Sequence, residues 1–493
     1  MTPLGGASSA TTLWNSIDWK ATESHVRRLQ VRIAKAVREE RWGKVKALQR
    51  LLSHSHSAKL LAVRRVTQNR GRHTPGVDGT IWRLPNQKWL AALALTNRGY
   101  RALPLRRIYI PKKNGKKRPL GLPAMHDRAI QALYLMALEP VAESRADIHS
   151  YGFRPGRSTA DAVERCFKVL CQRTCAQWIL EGDIKGCFDN IDHGWLYGHI
   201  PMDRKVLQQW LASGYLEGKT LFPTLAGTPQ GGVISPCLAN MALDGLEDVV
   251  TRITKPSDKV HVIRYADDFV VTGVSREILE HRIRPVIEAF LADRGLRLSK
   301  EKTLITSVHE GFDFLGFNVR KYGRKLLIKP SKSSIKSFLD GIREEIKHSV
   351  GVPMIGLMRR LNQKIRGWVN YYRHVVAKRA FRHVDHVIYW AVWKWSRRRH
   401  PNKSASWRYG KYFAGHWKRK WNFHAPFVGK DGVFKVLSLI QASDTPIRRH
   451  RQLIAAATPY DPAFFAYFEK RSRRVAMVPP WTTGSLSNDS LRA

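Results

Sequence analysis

Between Val262 and Gly273, two short runs rich in β-branched and aromatic residues flank the adjacent acids Asp267 and Asp268. Runs of that composition around a tight polar break read as a hairpin whose turn carries the acids. A third acid, Asp183, ends another apolar stretch, Trp178-Ile179-Leu180-Glu181-Gly182. If the two stretches are neighbouring strands, three carboxylates share one small volume, and crowding of that kind is unfavourable unless a cation is present. An isolated Asp-Asp pair is usually an ordinary turn. Strands on both sides and further ordered blocks favour a site.

Hard divalent ions such as Mg²⁺ take oxygen ligands and share their shell with substrate phosphates. Two of them together can activate an attacking hydroxyl and stabilise a departing pyrophosphate. Asp183, Asp267 and Asp268 are therefore the expected catalytic and metal-binding residues, for two Mg²⁺ ions, while Asp189 and Asp192 are read as structural.

Other blocks precede and follow the acids. Ile110-Pro111-Lys112-Lys113-Asn114-Gly115-Lys116-Lys117-Arg118-Pro119 clusters cations around a glycine turn, which suits a flexible hairpin over a triphosphate, although alone it reads equally as a solvated turn. Tyr151-Gly152-Phe153-Arg154-Pro155-Gly156-Arg157-Ser158 sets two arginines about a turn and suits contact with a template backbone, with a plain surface loop as the competitor. Gly227-Thr228-Pro229-Gln230-Gly231-Gly232 lets the backbone approach a nucleotide while Gln230 offers a donor and an acceptor.

Together with Asp183-Ile184-Lys185-Gly186-Cys187-Phe188, Tyr265-Ala266-Asp267-Asp268 and Phe314-Leu315-Gly316-Phe317, these blocks resemble, in order, the bacterial group II intron-encoded reverse transcriptases, or maturases. The resemblance runs from about residue 18 to 470. It implies an α+β right-hand polymerase with fingers and palm, a helical thumb or maturase domain, and a small C-terminal DNA-binding region. The implied divisions are a basic helical N-terminal extension over 1–98, fingers and palm over 99–325, thumb over 326–415, the DNA-binding region over 416–475 and a polar tail over 476–493. The implied activity is RNA-directed DNA polymerisation, with intron RNA splicing and homing as the biological setting. Group II intron RNA, an RNA template with DNA primer, target DNA and dNTPs are the implied partners. By the same resemblance Lys112 and Arg118 contact the nucleotide phosphates, Gln230 lines the nucleotide, and Phe188 bars the ribose 2′-hydroxyl. The chain lacks the paired Cys-x-x-Cys and His-rich motifs that many relatives carry after a Tyr-Asp-Pro stretch like Tyr460-Asp461-Pro462, so no nuclease activity of its own is expected. Two alternatives stay open: a domesticated reverse transcriptase serving repair or phage defence, and an RNA splicing chaperone that no longer polymerises.

Charge agrees with a nucleic-acid partner. Lys and Arg number 85 against 39 acids, a net +46, and an excess spread along the chain calls for a polyanion. A membrane surface would need a lipidation signal, a basic amphipathic surface helix or a long apolar span, none of which is convincing here. No secretory signal is recognisable, so a cytoplasmic setting, with association to the nucleoid open, is expected. The five cysteines form no disulfide framework; Cys166, Cys171 and Cys175 read as buried or half-buried side chains rather than metal ligands.

From Trp19 to Val66 apolar residues recur at helical spacing with Arg27, Arg28, Arg32, Lys35 and Arg38 on other faces. Beyond Pro330 the chain is helical and basic, with Leu357, Leu361, Ile365 and Trp368 on one face and the aromatic run Tyr389 to Trp395. There the aromatics are assigned mostly to core and the cations, Arg359, Arg360, Lys364 and Arg366 among them, to RNA.

Overall fold

The computed structural model describes residues 5–111, 115, 117–218, 220–413, 422–429 and 431–476. The chain opens with helices Gly5–Asn15, Trp19–Arg38, Trp42–His54, His56–Gln68 and Pro85–Ala94. Asp18 caps the second of these by accepting from the Ala21 amide, satisfying one of the donors a helix start leaves open. Its apolar stripe, Val26, Leu29, Ile33 and Val37, is buried, and the intervening cations are exposed as the spacing predicts. The second, third and fourth of these pack on helix Met125–Arg145, which is buried along most of its length, and the first and fifth pack on each other. Gln30 and Gln49 donate across to the Met136 and Ala137 carbonyls. The basic extension thus shares its core with the body that follows.

The strands are β1 (Leu105–Pro111), β2 (Lys117–Leu122), β3 (Trp178–Asp183), β4 (Tyr215–Glu217), β5 (Thr220–Phe222), β6 (Val262–Tyr265), β7 (Asp268–Gly273), β8 (Leu304–Ser307), β9 (Phe312–Phe314), β10 (Phe317–Tyr322), β11 (Lys325–Pro330), β12 (His424–Val428) and β13 (Phe434–Ser438). One sheet has the order β2-β1-β4-β5 and forms the fingers; the palm sheet has the order β6-β7-β3-β8. Side chains alternate faces along a strand, and the palm uses both. Leu180, Phe269 and Val271 enter the core shared with the N-terminal helices. Ile179, Ile263 and Val270 enter a second core, built with the region beyond Val308.

That second core joins palm to thumb. Helices Lys332–Lys347, Met354–Tyr372 and Lys378–Arg399 follow the β11-β10-β9 sheet. Leu357, Leu361 and Ile365 are buried and Trp368 half-buried. Phe317 stacks on Tyr371 at 5.1 Å between ring centroids. Tyr371 and Tyr372 donate to the Leu315 and Gly316 carbonyls, so the Phe314–Phe317 block anchors the thumb. The β12–β13 hairpin packs on helix Met354–Tyr372, where Asn362 donates to the Ser438 carbonyl and accepts from the Ile440 amide.

The stretch after β13 returns across the palm. Asp161, fully buried, accepts from the Leu453 amide and from His450. Gln452 donates to the Tyr151 hydroxyl, and Arg157 to the Ala455 carbonyl.

Candidate active site

β3 and β7 are antiparallel with Asp183 opposite Asp268, so their Cβ atoms stand about 5 Å apart on one face of the sheet. β6 and β7 close with Tyr265 opposite Asp268, leaving Ala266 and Asp267 as the two turn residues. Ala266 takes φ +58°, a conformation that costs an L-residue roughly 1–2 kcal/mol. The surroundings hold it there. Arg264, buried under the hairpin, donates to the Ala266 carbonyl and to Asn240 Oδ1 and is ion-paired with Asp244. Gly152 lies against the turn so closely that a Cβ would stand 2.3 Å from the Ala266 nitrogen. Tyr151 donates its amide to the Arg264 carbonyl, Arg264 donates its own to His149, and Asn240 donates to the Gly152 carbonyl.

The Tyr151–Ser158 block is therefore a buttress for the acidic turn, and the expectation for its arginines is corrected. Arg154 is buried and grips Glu143 with two donors while also donating to the Asp147 and Ser150 carbonyls. Arg157 is paired with the same Glu143. The side chains of both arginines and of Glu143 are no more than 4% exposed. Neither arginine can reach a template backbone, because a guanidinium removed from water is held by the carboxylate that compensates it.

Crowding affects the acids as expected. Burial, then the charge of Asp183, raises the Asp267 carboxyl above its ordinary range. Burial, then Asp267 and Asp183, pushes Asp268 up to about 7. A bound cation would relieve the part of that shift that comes from the neighbouring carboxylates. Asp183 holds Lys302 with both oxygens, at 3.0 and 3.2 Å. Among the described residues no set of three His, Cys, Asp or Glu side chains is already gathered as a metal site. The donor chemistry nonetheless fits a hard divalent cation: every donor is a carboxylate oxygen, and one already has an ammonium as counter-charge.

The nucleotide-facing candidates meet beside the acids. Arg118 on β2 donates its Nε to Gln230 Oε1 at 3.0 Å, and Gln230 Nε2 donates to both Asp189 oxygens at 2.8 and 2.7 Å. Gly227, at φ +83°, brings its loop so near the Phe188–Asp189 backbone that a Cβ would lie 2.5 Å from the Phe188 oxygen. The Thr228 amide donates to the Phe188 carbonyl. Phe188 is half-buried, edge-on to Phe153. The structure thus brings Arg118, Phe188 and Gln230 together; Lys112, like Lys116, lies outside the described residues. Asp192 caps helix His193–His199, as a structural acid would. Asp189 does more than that, since it orients Gln230. Sequence reasoning missed this role and missed Lys302.

Of the thumb cations, Arg360 and Lys364 both pair with Glu345. Arg359 lies over the Phe427 ring, and Arg366 is half-buried. Cys166 is buried, and Cys171 and Cys175 are half-buried.

Three family models match the chain. Residues 110–319 match the family model for reverse transcriptase (RNA-dependent DNA polymerase), residues 14–95 the N-terminal domain of reverse transcriptase, and residues 335–413 the group II intron maturase-specific domain. Protein YkfC of Escherichia coli is 35% identical over 56% of this chain and 84% of its own length. The group II intron-encoded protein LtrA of Lactococcus lactis is 32% identical over 57% of this chain and 58% of its own. A 91 kDa protein in the cob intron of Schizosaccharomyces pombe is 28% identical over 46% of this chain and 35% of its own. With an acidic hairpin set in an α+β right-hand palm, a thumb that matches the maturase-specific domain, and RNA as the partner class, the chain belongs to the family of bacterial group II intron-encoded reverse transcriptases and maturases.

Proposed function

We propose that this reverse transcriptase copies an RNA template into DNA using Mg²⁺ held by Asp183, Asp267 and Asp268, and that it serves a group II intron by aiding RNA splicing and by reverse transcription at a DNA target. The observation that carries the reading is the register that sets Asp183 opposite Asp268 with Asp267 in the adjoining turn. Two bound Mg²⁺ ions would supply Lewis-acid activation of the primer hydroxyl and charge neutralisation at the leaving group.

The chain's own residues do the rest. Arg118 answers triphosphate charge from the fingers, exchanging its hydrogen bond to Gln230 for phosphate oxygens. Gln230, oriented by Asp189, presents a polar edge to the nucleotide. Phe188, half-buried beside the loop that carries Gln230, would exclude a ribose 2′-hydroxyl by its bulk, which favours dNTPs. The exposed cations Arg359 and Lys364, with Arg360 and Arg366, lie on a thumb helix suited to RNA phosphates. No described helix is long and apolar enough to cross a membrane; the setting proposed is the cytoplasm, with access to the nucleoid.

Primer extension by the purified protein on a generic RNA template tests this, with dNTPs or rNTPs and with Mg²⁺ or EDTA. cDNA made only with dNTPs and Mg²⁺ supports the reading. Tight RNA retention without any extension overturns it in favour of a splicing chaperone.

A further inference from the structure

Helices Lys332–Lys347 and Lys378–Arg399 leave between them a groove of about 450 Å³ to which none of the catalytic or nucleotide-facing residues contributes. Along the second helix His386, Trp390, Lys394 and Arg398 follow one another at four-residue steps, so they line one face about 6 Å apart. Arg343 and Lys347 repeat that step on the facing helix. All six are exposed, Trp390 by 47%. Among the described residues no Asp or Glu lines the groove. Arg343 is paired with Asp340 on its own helix, whereas Lys347, Lys394 and Arg398 pair with no carboxylate among the described residues. This contrasts with Arg360 and Lys364, which both face Glu345.

The indole is also open. His386 and Tyr389 meet Trp390 at 74° and 76° between ring planes, so neither stacks flat on the indole. An open aromatic face costs free energy in water unless a planar partner arrives, and clustered ammonium and guanidinium groups repel until an anion separates them. One ligand class meets both requirements: a base carried on phosphates. A protein segment would have to bring carboxylates and a flat ring in the same spacing.

We propose that this groove binds an unpaired nucleotide of a single-stranded RNA segment, the base stacked on Trp390 and the flanking phosphates held by Lys347, Lys394 and Arg398. The proposal rests on the reading that the partner is RNA, and it adds a site for single-stranded segments apart from the primer-template cleft.

Binding of the full chain to a fluorescein-labelled blunt RNA hairpin, and to the same hairpin with a single-stranded oligoadenosine tail, tests it. Wild type should bind the tailed RNA more tightly. Trp390→Ala should weaken the tailed complex about tenfold, Trp390→Phe should keep most of the affinity, and the Lys394→Ala, Arg398→Ala double variant should lower the salt slope on the tail by about one. The proposal is overturned if Trp390→Ala binds the tailed RNA like wild type, or weakens blunt and tailed RNA equally. It is also overturned if phosphatidylserine vesicles compete with the tail. Should Trp390→Ala fail to fold by circular dichroism, the double variant decides: it must lose the preference for the tail. Failure of wild type to retain either RNA would instead refute the RNA-partner reading itself.

Discussion

Arg118 and Arg154 both sit in motif loops beside turns, and from their neighbours in the chain either suits a phosphate. In the folded protein they are opposites. Arg118 is exposed and, among the described residues, its side chain makes one neutral hydrogen bond, to Gln230. Arg154 is sealed with Arg157 around Glu143, under the loop that braces Ala266. A guanidinium sealed from water with its counter-charge acts as scaffold, whereas one left at the surface keeps its donors accessible.

Substitutions separate the two arginines by their effects on rate and on stability. The largest effect belongs to neither arginine: Asp183→Asn should lower the rate of nucleotide incorporation about a thousandfold, since each 1.36 kcal/mol of lost transition-state stabilisation is tenfold and metal-assisted charge stabilisation is worth several kcal/mol. Its melting temperature should stay within a few degrees of wild type by calorimetry. Next comes Glu143→Ala, which leaves two buried guanidinium groups uncompensated and should cost about 3–5 kcal/mol in urea unfolding. A Glu143→Ala protein as stable as wild type would show the pair to be accessible after all. Gly152→Ala forces a Cβ into the backbone of the acidic turn. It should cost about 1–3 kcal/mol as an overpacking change and slow incorporation without raising KM for dNTP. Smallest in stability is Arg118→Ala, expected within about 0.5 kcal/mol of wild type as a surface change. Its KM for dNTP should nevertheless rise about tenfold, from one lost charge-assisted bond. An unchanged KM would remove Arg118 from the nucleotide site.

Local pattern made part of this readable. The hairpin could be read because β-branched residues flank an acidic break, and the thumb because Leu357, Leu361 and Ile365 keep helical spacing. Long-range pairing could not be read. Lys302 meets Asp183 from 119 positions away, and nothing local distinguishes it from the neighbouring Lys300. Glu143 is one of three acids, with Asp127 and Glu139, on a mostly buried helix, and nothing local marks it as the partner of two arginines. The β12–β13 hairpin was equally obscure, because its short strands lack a clear alternation of buried and exposed residues and are fixed by packing on Asn362. The shared core of the N-terminal helices depends on helix Met125–Arg145, whose all-round burial carries no amphipathic signature.

On the proposed reading, the acids at the β3–β7 junction are the reacting centre and the loop beneath them is scaffold. Single-nucleotide incorporation on a pre-bound RNA template and DNA primer tests it most directly, comparing wild type with the Asp267→Ala, Asp268→Ala double variant and measuring duplex binding in the same samples. The account predicts intact binding and no incorporation by the double variant; incorporation at the wild-type rate would contradict it.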